Sequence, residues 1–433
     1  MPLDEVYLRP VRGMRDLLPE DYYQIINISN KLSKVAESYG YLRVETPALE
    51  HFEVLKAKAG EEIINEIYYF RDKAGREVGL RFDLTVPIAR IVSYRKDLPK
   101  PIRWYYISKV WRYDEPQHGR YREFHQYGIE LIGWSSIQAD AESIEVLIKS
   151  LDEVSLEKFE VRLNDRRIVE NILDNLNIPK DYTRLKILRI LDKRGKVSNE
   201  ELIKMLQDVD VGRDVAEMLV NIANTVIPID KSLEVLHEFK IDSSLIDNIS
   251  KLIEELDVRG IIKKVFLDFG IVRGLDYYTG IVYEVYVPEY SLAIGGGGRY
   301  DDLIEIYSGV KVPALGFAIG IERLVEVLQL QGKLDKPKLG PDYYVYTVGS
   351  DRELRDVAYR IANSLRSKGF KVILEFGERS LRTVLEYASK IGSKKFIIVG
   401  KREFSKGVVK IRDLERWVEE EVEIEKLIGG QYI

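Results

Sequence analysis

Two apolar runs, Trp104–Val110 and Gln126–Ile132, flank a segment crowded with charge that holds Arg112, Asp114, Arg120, Arg122 and Glu123. Apolar runs of this length around a polar turn read as two paired strands. The charged groups then crowd the hairpin and its mouth. A solvated loop would account for such charge by itself. Here, however, the polar residues continue into the second strand as Gln126 and Glu130. Side chains alternate along a strand, so these two share one face of the sheet. A charge on the face of a central strand is costly unless it is used. Arginine forks are planar and permanently charged, which suits phosphate oxygens. Phe124 adds a ring on which a base can stack. The stretch reads as a site for a nucleotide and a small polar ligand.

Composition narrows the chemistry. A chain of 433 residues exceeds one ordinary domain. It has no cysteine, which excludes disulfides, thiolate zinc sites and cysteine nucleophiles. His51, His118, His125 and His237 are its only histidines, too few for a histidine-rich metal site. No apolar run has the length of a membrane span, and Met1–Glu5 lacks the basic-then-apolar order of a signal peptide. A cytoplasmic location with no membrane partner is expected. The 32% charged residues and the missing cysteine fit a thermophile. Between Asp342 and Arg412 stand sixteen Lys and Arg against eight Asp and Glu, although the whole chain carries a net charge of -5. A basic module on an acidic body fits a polyanion partner and an ordinary mixed-charge surface equally.

Periodicity gives the organisation. Residues 21–39 place Ile25, Ile28, Leu32 and Val35 at helical spacing. Tyr41–Pro47 reads as a strand ended by proline. Tyr68–Arg71 and Val78–Phe82 read as a hairpin around Asp72–Gly75, and Asp140–Val154 as a helix. From Asp165 to Gly260 apolar residues recur at three and four, as in Leu202, Met205 and Leu206, which predicts an inserted helical domain. Strands resume at Val265–Phe269 and Ile281–Val287. Gly295–Tyr300 reads as a tight glycine turn, and Ala314–Ile319 as a strand before the helix Glu322–Leu330. Beyond a linker, strands at Tyr343–Val348, Lys371–Glu375 and Lys395–Val399 alternate with helical patterns at 351–368 and 379–391. That rhythm predicts a small α/β domain with a largely parallel sheet. The expected division is 1–164, 165–260 (helical insertion), 261–331, a linker at 332–341, and 342–433, in an α+β chain.

Four further segments carry chemistry. In Arg81–Thr85, an extended backbone would set Asp83 and Thr85 on one side, where both can meet an ammonium group; alone, the segment reads first as a strand-end turn. Arg273-Gly274-Leu275-Asp276-Tyr277-Tyr278 joins a cation to tyrosines with polar tips, or forms a core tyrosine pair. Gly295–Asp301 is neither a Walker loop nor a dinucleotide fingerprint, which leaves a glycine floor under a ligand or a plain turn. Gly316–Arg323 runs a strand into a helix and puts Arg323 in its first turn, where a cation suits an anionic or π partner.

Taken in order, these segments resemble the class II aminoacyl-tRNA synthetases, and within them the histidyl-tRNA synthetases. Val44–Pro47 is similar to the first motif of that class, Trp111–Gln126 to the second and Gly316–Arg323 to the third. Arg273–Tyr278, Gly296–Asp301 and the opening Arg12–Pro19 resemble the histidine-specific family. The resemblance spans the chain. It implies an antiparallel six-stranded catalytic sheet flanked by helices, a helical insertion and a C-terminal α/β anticodon-binding domain. It also implies a homodimer that uses L-histidine, ATP and tRNA(His), with Mg2+ accompanying ATP through ligands the sequence does not identify.

The same resemblance assigns roles. Arg112 and Arg273 would be the catalytic cations at the α-phosphate. Arg112, Asp114, Arg120, Phe124 and Arg323 would bind ATP, with Phe124 and Arg323 on either side of the adenine. Asp83, Thr85 and Gln126 would hold the α-amino group of histidine. Glu130 and Tyr278 would read the imidazole nitrogens, with Tyr277 and Arg273 close by. His118 and His125 receive no catalytic role. Asp83 and Asp114 stand where many family members carry glutamate, and Arg81–Pro87 is closer to the archaeal and eukaryotic form. The alternative is a histidine-binding regulatory paralogue that acts with ATP phosphoribosyltransferase. Such proteins usually lack the C-terminal domain and parts of the Arg273 and Gly296–Asp301 segments, which this chain retains. Other class II synthetases and a pure tRNA-binding module fit the retained arginines and tyrosines less well.

Overall fold

A computed structural model describes residues 4–57, 61–117, 119–180, 182–272, 278–335, 337, 339–375 and 379–429. The chain divides into two compact units, Met1–Leu334 and Asp335–Ile433.

The first unit is built on a sheet that has nine strands among the described residues. In order across the sheet they are Leu42–Arg43, Ile102–Trp111, Glu123–Ile132, Ala314–Gly320, Tyr290–Arg299, Ile281–Val287, Glu160–Asp165, Val265–Asp268 and Val226–Pro228. Every neighbouring pair from Ile102–Trp111 through Glu160–Asp165 is antiparallel, which makes a six-stranded antiparallel centre. Leu42–Arg43 and Val265–Asp268 add parallel strands at its two sides. Alternation divides the faces. Tyr127, Ile129 and Leu131 point one way with Leu315, Phe317 and Ile319, and all are buried. They pack with Ile25, Ile28 and Leu32 of the helix Pro19–Ser38 and with Ile144, Leu147 and Leu151 of the helix Ile137–Glu153. Each such side chain contributes roughly 1.5–3 kcal/mol when fully buried. The opposite face carries Gln126, Gly128 and Glu130, and beside them Gly316, Ala318 and Gly320. A sheet face so poor in side chains leaves room for something else to lie on it.

The stretch between Glu160–Asp165 and Val265–Asp268 is mainly helical and divides between two cores. Val169, Leu173, Ile187, Leu202, Leu206 and Leu219 form a cluster that also takes in Ile271 and Val282. Ile246, Ile249, Leu252 and Leu256 of the helix Ser243–Val258 join the main core instead. One segment of this stretch, Val226–Pro228, is a strand at the sheet's edge.

Three local expectations are corrected. The strand expected over Tyr41–Pro47 is only Leu42–Arg43 long, although the Val44 N–H still donates to the Tyr105 carbonyl. Gly295–Tyr300 is no turn: Tyr290–Arg299 is one continuous strand. Its glycines answer to crowding by neighbouring strands, since a Cβ on Gly297 would lie 2.2 Å from the Gly316 carbonyl oxygen. Finally, Asp83 and Thr85 do not share an extended segment, because Thr85 is the first residue of the helix Thr85–Tyr94.

Among its described residues the second unit holds a five-stranded sheet in the order Val372–Leu374, Tyr343–Thr347, Lys395–Val399, Val408–Asp413 and Glu419–Glu423. The first three strands are parallel, joined through the helices Arg352–Ser367 and Leu381–Lys390. The last two are antiparallel, so the sheet is mixed. Lys410 and Arg412 meet Glu419 across that final pair at 3.1 and 2.7 Å, which draws the acidic tail into the sheet.

Candidate active site

A cavity of about 1080 Å3 opens over the glycine-rich face. Its two ends differ in charge.

Glu130 marks the first end. It is 1% exposed, and the Thr85 hydroxyl donates to its Oε1 at 2.6 Å. Among the described residues its Oε2 has no hydrogen-bond partner, and neither has the buried Oε1 of Gln126. A buried polar atom left unpaired costs about 1–3 kcal/mol, so both oxygens are set for a donor that arrives with a ligand. Burial drives the Glu130 carboxyl well above its usual range; the Thr85 hydrogen bond opposes this, and the nearby Asp83 charge adds to it. Burial likewise raises Asp83, against the Val86 N–H that donates to its Oδ1 at 3.1 Å and the charge of Arg112. Tyr278 also lines the cavity, its phenol raised by burial and by Glu284, Glu130 and Asp83. Glycine at 316 makes this end possible, because a Cβ there would sit 2.4 Å from Glu130 Oε2.

Cations mark the other end. Arg112 donates from Nε to the Phe82 carbonyl at 3.0 Å and lies 5.5 Å from the centre of the Phe124 ring. Arg120 Nε stands 3.1 Å from Asp114 Oδ2. Arg323 donates to the carbonyls of Gly119 and Ala293, both at 2.8 Å, which fixes its fork. Burial pushes the Arg323 guanidinium below its ordinary range, and the charges of Arg112 and Arg120 push it further. Such crowding of like charge is relieved by an anion. Arg189, Lys193 and Lys196 of the helical stretch line the same cavity.

The structure thus brings Asp83, Thr85, Arg112, Asp114, Arg120, Phe124, Gln126, Tyr278 and Arg323 to one cavity, with Glu130 beneath it. Arg273, Tyr277 and His118 lie outside the described residues. Two acids escaped the sequence reading. Glu66 lines the cavity beside Asp114, its carboxyl raised by burial and by a hydrogen bond with Asp114. Nothing around Asn65-Glu66-Ile67 distinguishes it from a surface acid. Glu322 is buried; its Oε2 accepts the His125 backbone N–H and its Oε1 meets His125 Nδ1, each at 2.8 Å. This pair fastens the helix Ile321–Leu330 to the strand of Gln126. Its place beside Arg323 was the available signal. Arg122 serves the hairpin itself, covering the Tyr113 ring at 3.8 Å and donating to the Asp114 carbonyl at 2.9 Å. Arg299 is buried between Asp140 and Asp301, at 3.0 and 3.1 Å, and holds the sheet together.

An antiparallel sheet with a bare ligand floor, an arginine hairpin above it and an arginine at the head of the following helix defines the catalytic domain of a class II aminoacyl-tRNA synthetase. The sequence model described as Histidyl-tRNA synthetase matches residues 13–324, and that described as Anticodon binding domain matches residues 342–430. The chain belongs to the histidyl-tRNA synthetase family. It is 52% identical over 427 residues to a histidine–tRNA ligase of Pyrobaculum islandicum, covering 99% of each chain. It is 38% identical over 424 residues to that of Pyrococcus furiosus, covering 96% of this chain and 97% of the other. Among solved structures it is similar to histidyl-tRNA synthetase from Nostoc sp. PCC 7120, with a TM-score of 0.81, 25% identity and coverage of 98% and 99%. It is also similar to an ATP phosphoribosyltransferase regulatory subunit/histidyl-tRNA synthetase from Bacillus halodurans, with a TM-score of 0.77, 25% identity and coverage of 92% and 100%.

Proposed function

We propose that this chain is a histidine–tRNA ligase. It joins L-histidine to ATP, releasing pyrophosphate and leaving histidyl-adenylate, then passes the histidyl group to the 3' end of tRNA(His) and releases AMP. One observation carries the reading: a single cavity has a buried carboxylate with an open oxygen beneath one end and three arginines at the other. Such a cavity suits a ligand with ring and amino N–H groups beside one with phosphates.

In the first step a histidine carboxylate oxygen bonds to the α-phosphorus as the bond from that phosphorus to the bridging oxygen breaks. No covalent enzyme intermediate is required, so position and charge supply the rate. Arg112 holds the α-phosphate, with Arg273 assigned to its other side by family resemblance. Arg120 takes the terminal phosphates, exchanging its Asp114 partner for them. Phe124 and Arg323 sandwich the adenine. Asp83 and Gln126 accept from the α-ammonium group. Thr85, whose proton goes to Glu130, serves there only through its lone pairs. Glu130 accepts one imidazole N–H, and Tyr278 meets the other nitrogen, with Tyr277 beside it. Buried groups that must pair reject apolar analogues strongly.

Magnesium enters with the ATP phosphates in this reading. Among the described residues no group of three acidic or histidine side chains could hold a metal ion, and no protein ligand is assigned to it. Residues 342–433 bind the anticodon, and Arg189, Lys193 and Lys196 meet tRNA phosphates near the cavity. A second copy of the chain covers the edge of the sheet near Val44–Pro47, where Leu42 and Leu49 are exposed. Among the described residues no helix is long and apolar enough to cross a membrane, and the cytoplasm is the proposed location.

The test is ATP–pyrophosphate exchange with each amino acid in turn. Exchange with histidine alone is expected. Exchange with another amino acid overturns the substrate, and histidine binding without exchange favours the regulatory paralogue.

A further inference from the structure

The tip of the arginine hairpin is tied down on either side of Arg120. Before it, the Gly119 carbonyl accepts from Arg323 Nε at 2.8 Å, and the same guanidinium donates to the Ala293 carbonyl at 2.8 Å. After it, the Tyr121 hydroxyl donates to Glu326 Oε1 at 3.0 Å, and the other oxygen of that carboxylate accepts from the Tyr290 hydroxyl at 2.8 Å. Arg323 and Glu326 stand three residues apart on the helix Ile321–Leu330, so they share a face. Ala293 and Tyr290 belong to the strand Tyr290–Arg299. Each tie thus runs from the hairpin, through one side chain of the helix, to the strand. Gly119 fits closely against the second tie: a Cβ there would overlap the Tyr290 Oη and lie 3.0 Å from Glu326 Oε2. Arg15 covers the Tyr121 ring at 4.2 Å from its centre and donates to its hydroxyl at 3.4 Å. The phenol accepts from Arg15 and gives its one proton to Glu326.

We propose that Glu326 is a positioning residue for ATP: by clasping Tyr121 and Tyr290 it fixes the hairpin tip and with it the reach of Arg120. The proposal rests on the assignment of Arg120 to the terminal phosphates. Arg120 and Tyr121 line the cavity, and Glu326 acts through them. A long side chain delivers its charge to one place only if the backbone that carries it is held. With Gly119 and Tyr121 both tied, ATP meets a tip already in place and does not bear the cost of ordering it. Two phenol O–H groups on one carboxylate form charge-assisted bonds, which are stronger than neutral ones and suit a turn that like charges would otherwise open.

The test compares Tyr121→Phe, Glu326→Ala, their combination and Arg120→Gln with the full-length parent in ATP–pyrophosphate exchange. Tyr121→Phe removes only the oxygen and keeps the ring under Arg15. It should raise KM for ATP roughly five- to tenfold while kcat and KM for histidine stay within about twofold. Glu326→Ala should do at least as much, and adding Tyr121→Phe to it should change nothing further, because the two residues act through one bond. Effects that simply multiply in the combination would overturn the proposal. So would a loss of thermal stability that disturbs both substrates alike, the mark of a packing defect. An unchanged KM for ATP in Tyr121→Phe, with that of Arg120→Gln raised, would overturn it and leave the Arg120 assignment standing. A normal KM for ATP in Arg120→Gln would remove the assignment and the proposal together.

Discussion

Thr85→Val removes one oxygen and keeps the shape of the side chain at the head of the helix Thr85–Tyr94. The lost interaction is the 2.6 Å bond to Glu130, an acid that is 1% exposed. A hydrogen bond to a charged group contributes about 1.5–3 kcal/mol, a factor of roughly 10 to 150. In the native protein that bond opposes the upward drive of burial on the Glu130 carboxyl, and Asp83 acts against it. Without it the carboxyl rises further, and Glu130 stays protonated to a higher pH. Above both the parent and mutant pKa values Glu130 is ionised in each protein, and the difference narrows to the loss of one contact. Towards acid the mutant loses the carboxylate first, and its deficit widens. The assay is kcat/KM for histidine in ATP–pyrophosphate exchange, followed across pH. The predicted result is a deficit of about 10- to 150-fold on the acid side that shrinks with rising pH, with the acid limb moved to higher pH. A uniform deficit at every pH would refute this reasoning, since it would place Thr85 on the α-amino group alone.

Three other predictions follow from the same contacts. Glu130→Gln should abolish histidine-dependent exchange yet stabilise the empty protein. A carboxyl raised on folding costs nothing below its unfolded pKa and progressively more as pH rises towards the native value, so the gain in Tm should be absent near pH 4, about the unfolded carboxyl value, and grow with pH. A Tm that does not depend on pH relative to the parent would refute it. Arg323→Gln should raise KM for ATP by about 10- to 100-fold with little change in KM for histidine, because it removes a charge held by two carbonyls at the cationic end; equal effects on both substrates would place Arg323 elsewhere. Gly297→Ala should cost about 1–3 kcal/mol in a denaturant titration and impair both substrates, because its Cβ would meet the Gly316 carbonyl oxygen at 2.2 Å; normal stability would mean that the strands separate freely.

The central hairpin was legible because the apolar runs Trp104–Val110 and Gln126–Ile132 flank a polar turn, and Gln126 and Glu130 fall four residues apart, on one face of the second strand. Phe124, Gln126 and Glu130 were legible for the same reason. The helix Pro19–Ser38 and the three parallel strands of the second unit followed from similar periodicity. Other features depend on contacts that no local pattern encodes. A glycine run is a turn or a strand according to how closely other backbones approach it, and for Gly295–Gly298 that is decided by strands on either side. Glu66 and Glu322 resemble surface acids until the fold brings them to the cavity. Thr85 looked extended because two residues of spacing suits a strand, whereas the backbone turns into a helix there. The closing strand Glu419–Glu423 is acidic, and only its pairing with Lys410 and Arg412 makes it sheet-like.

The most direct measurement is a crystal structure of the full chain with histidine and a non-hydrolysable ATP analogue. The expected complex has an imidazole N–H on Glu130 Oε2, the α-ammonium group between Asp83 and Gln126, and the α-phosphate on Arg112 with adenine between Phe124 and Arg323. A histidine bound with its ring away from Glu130, or phosphates bound away from Arg112 and Arg120, would contradict it.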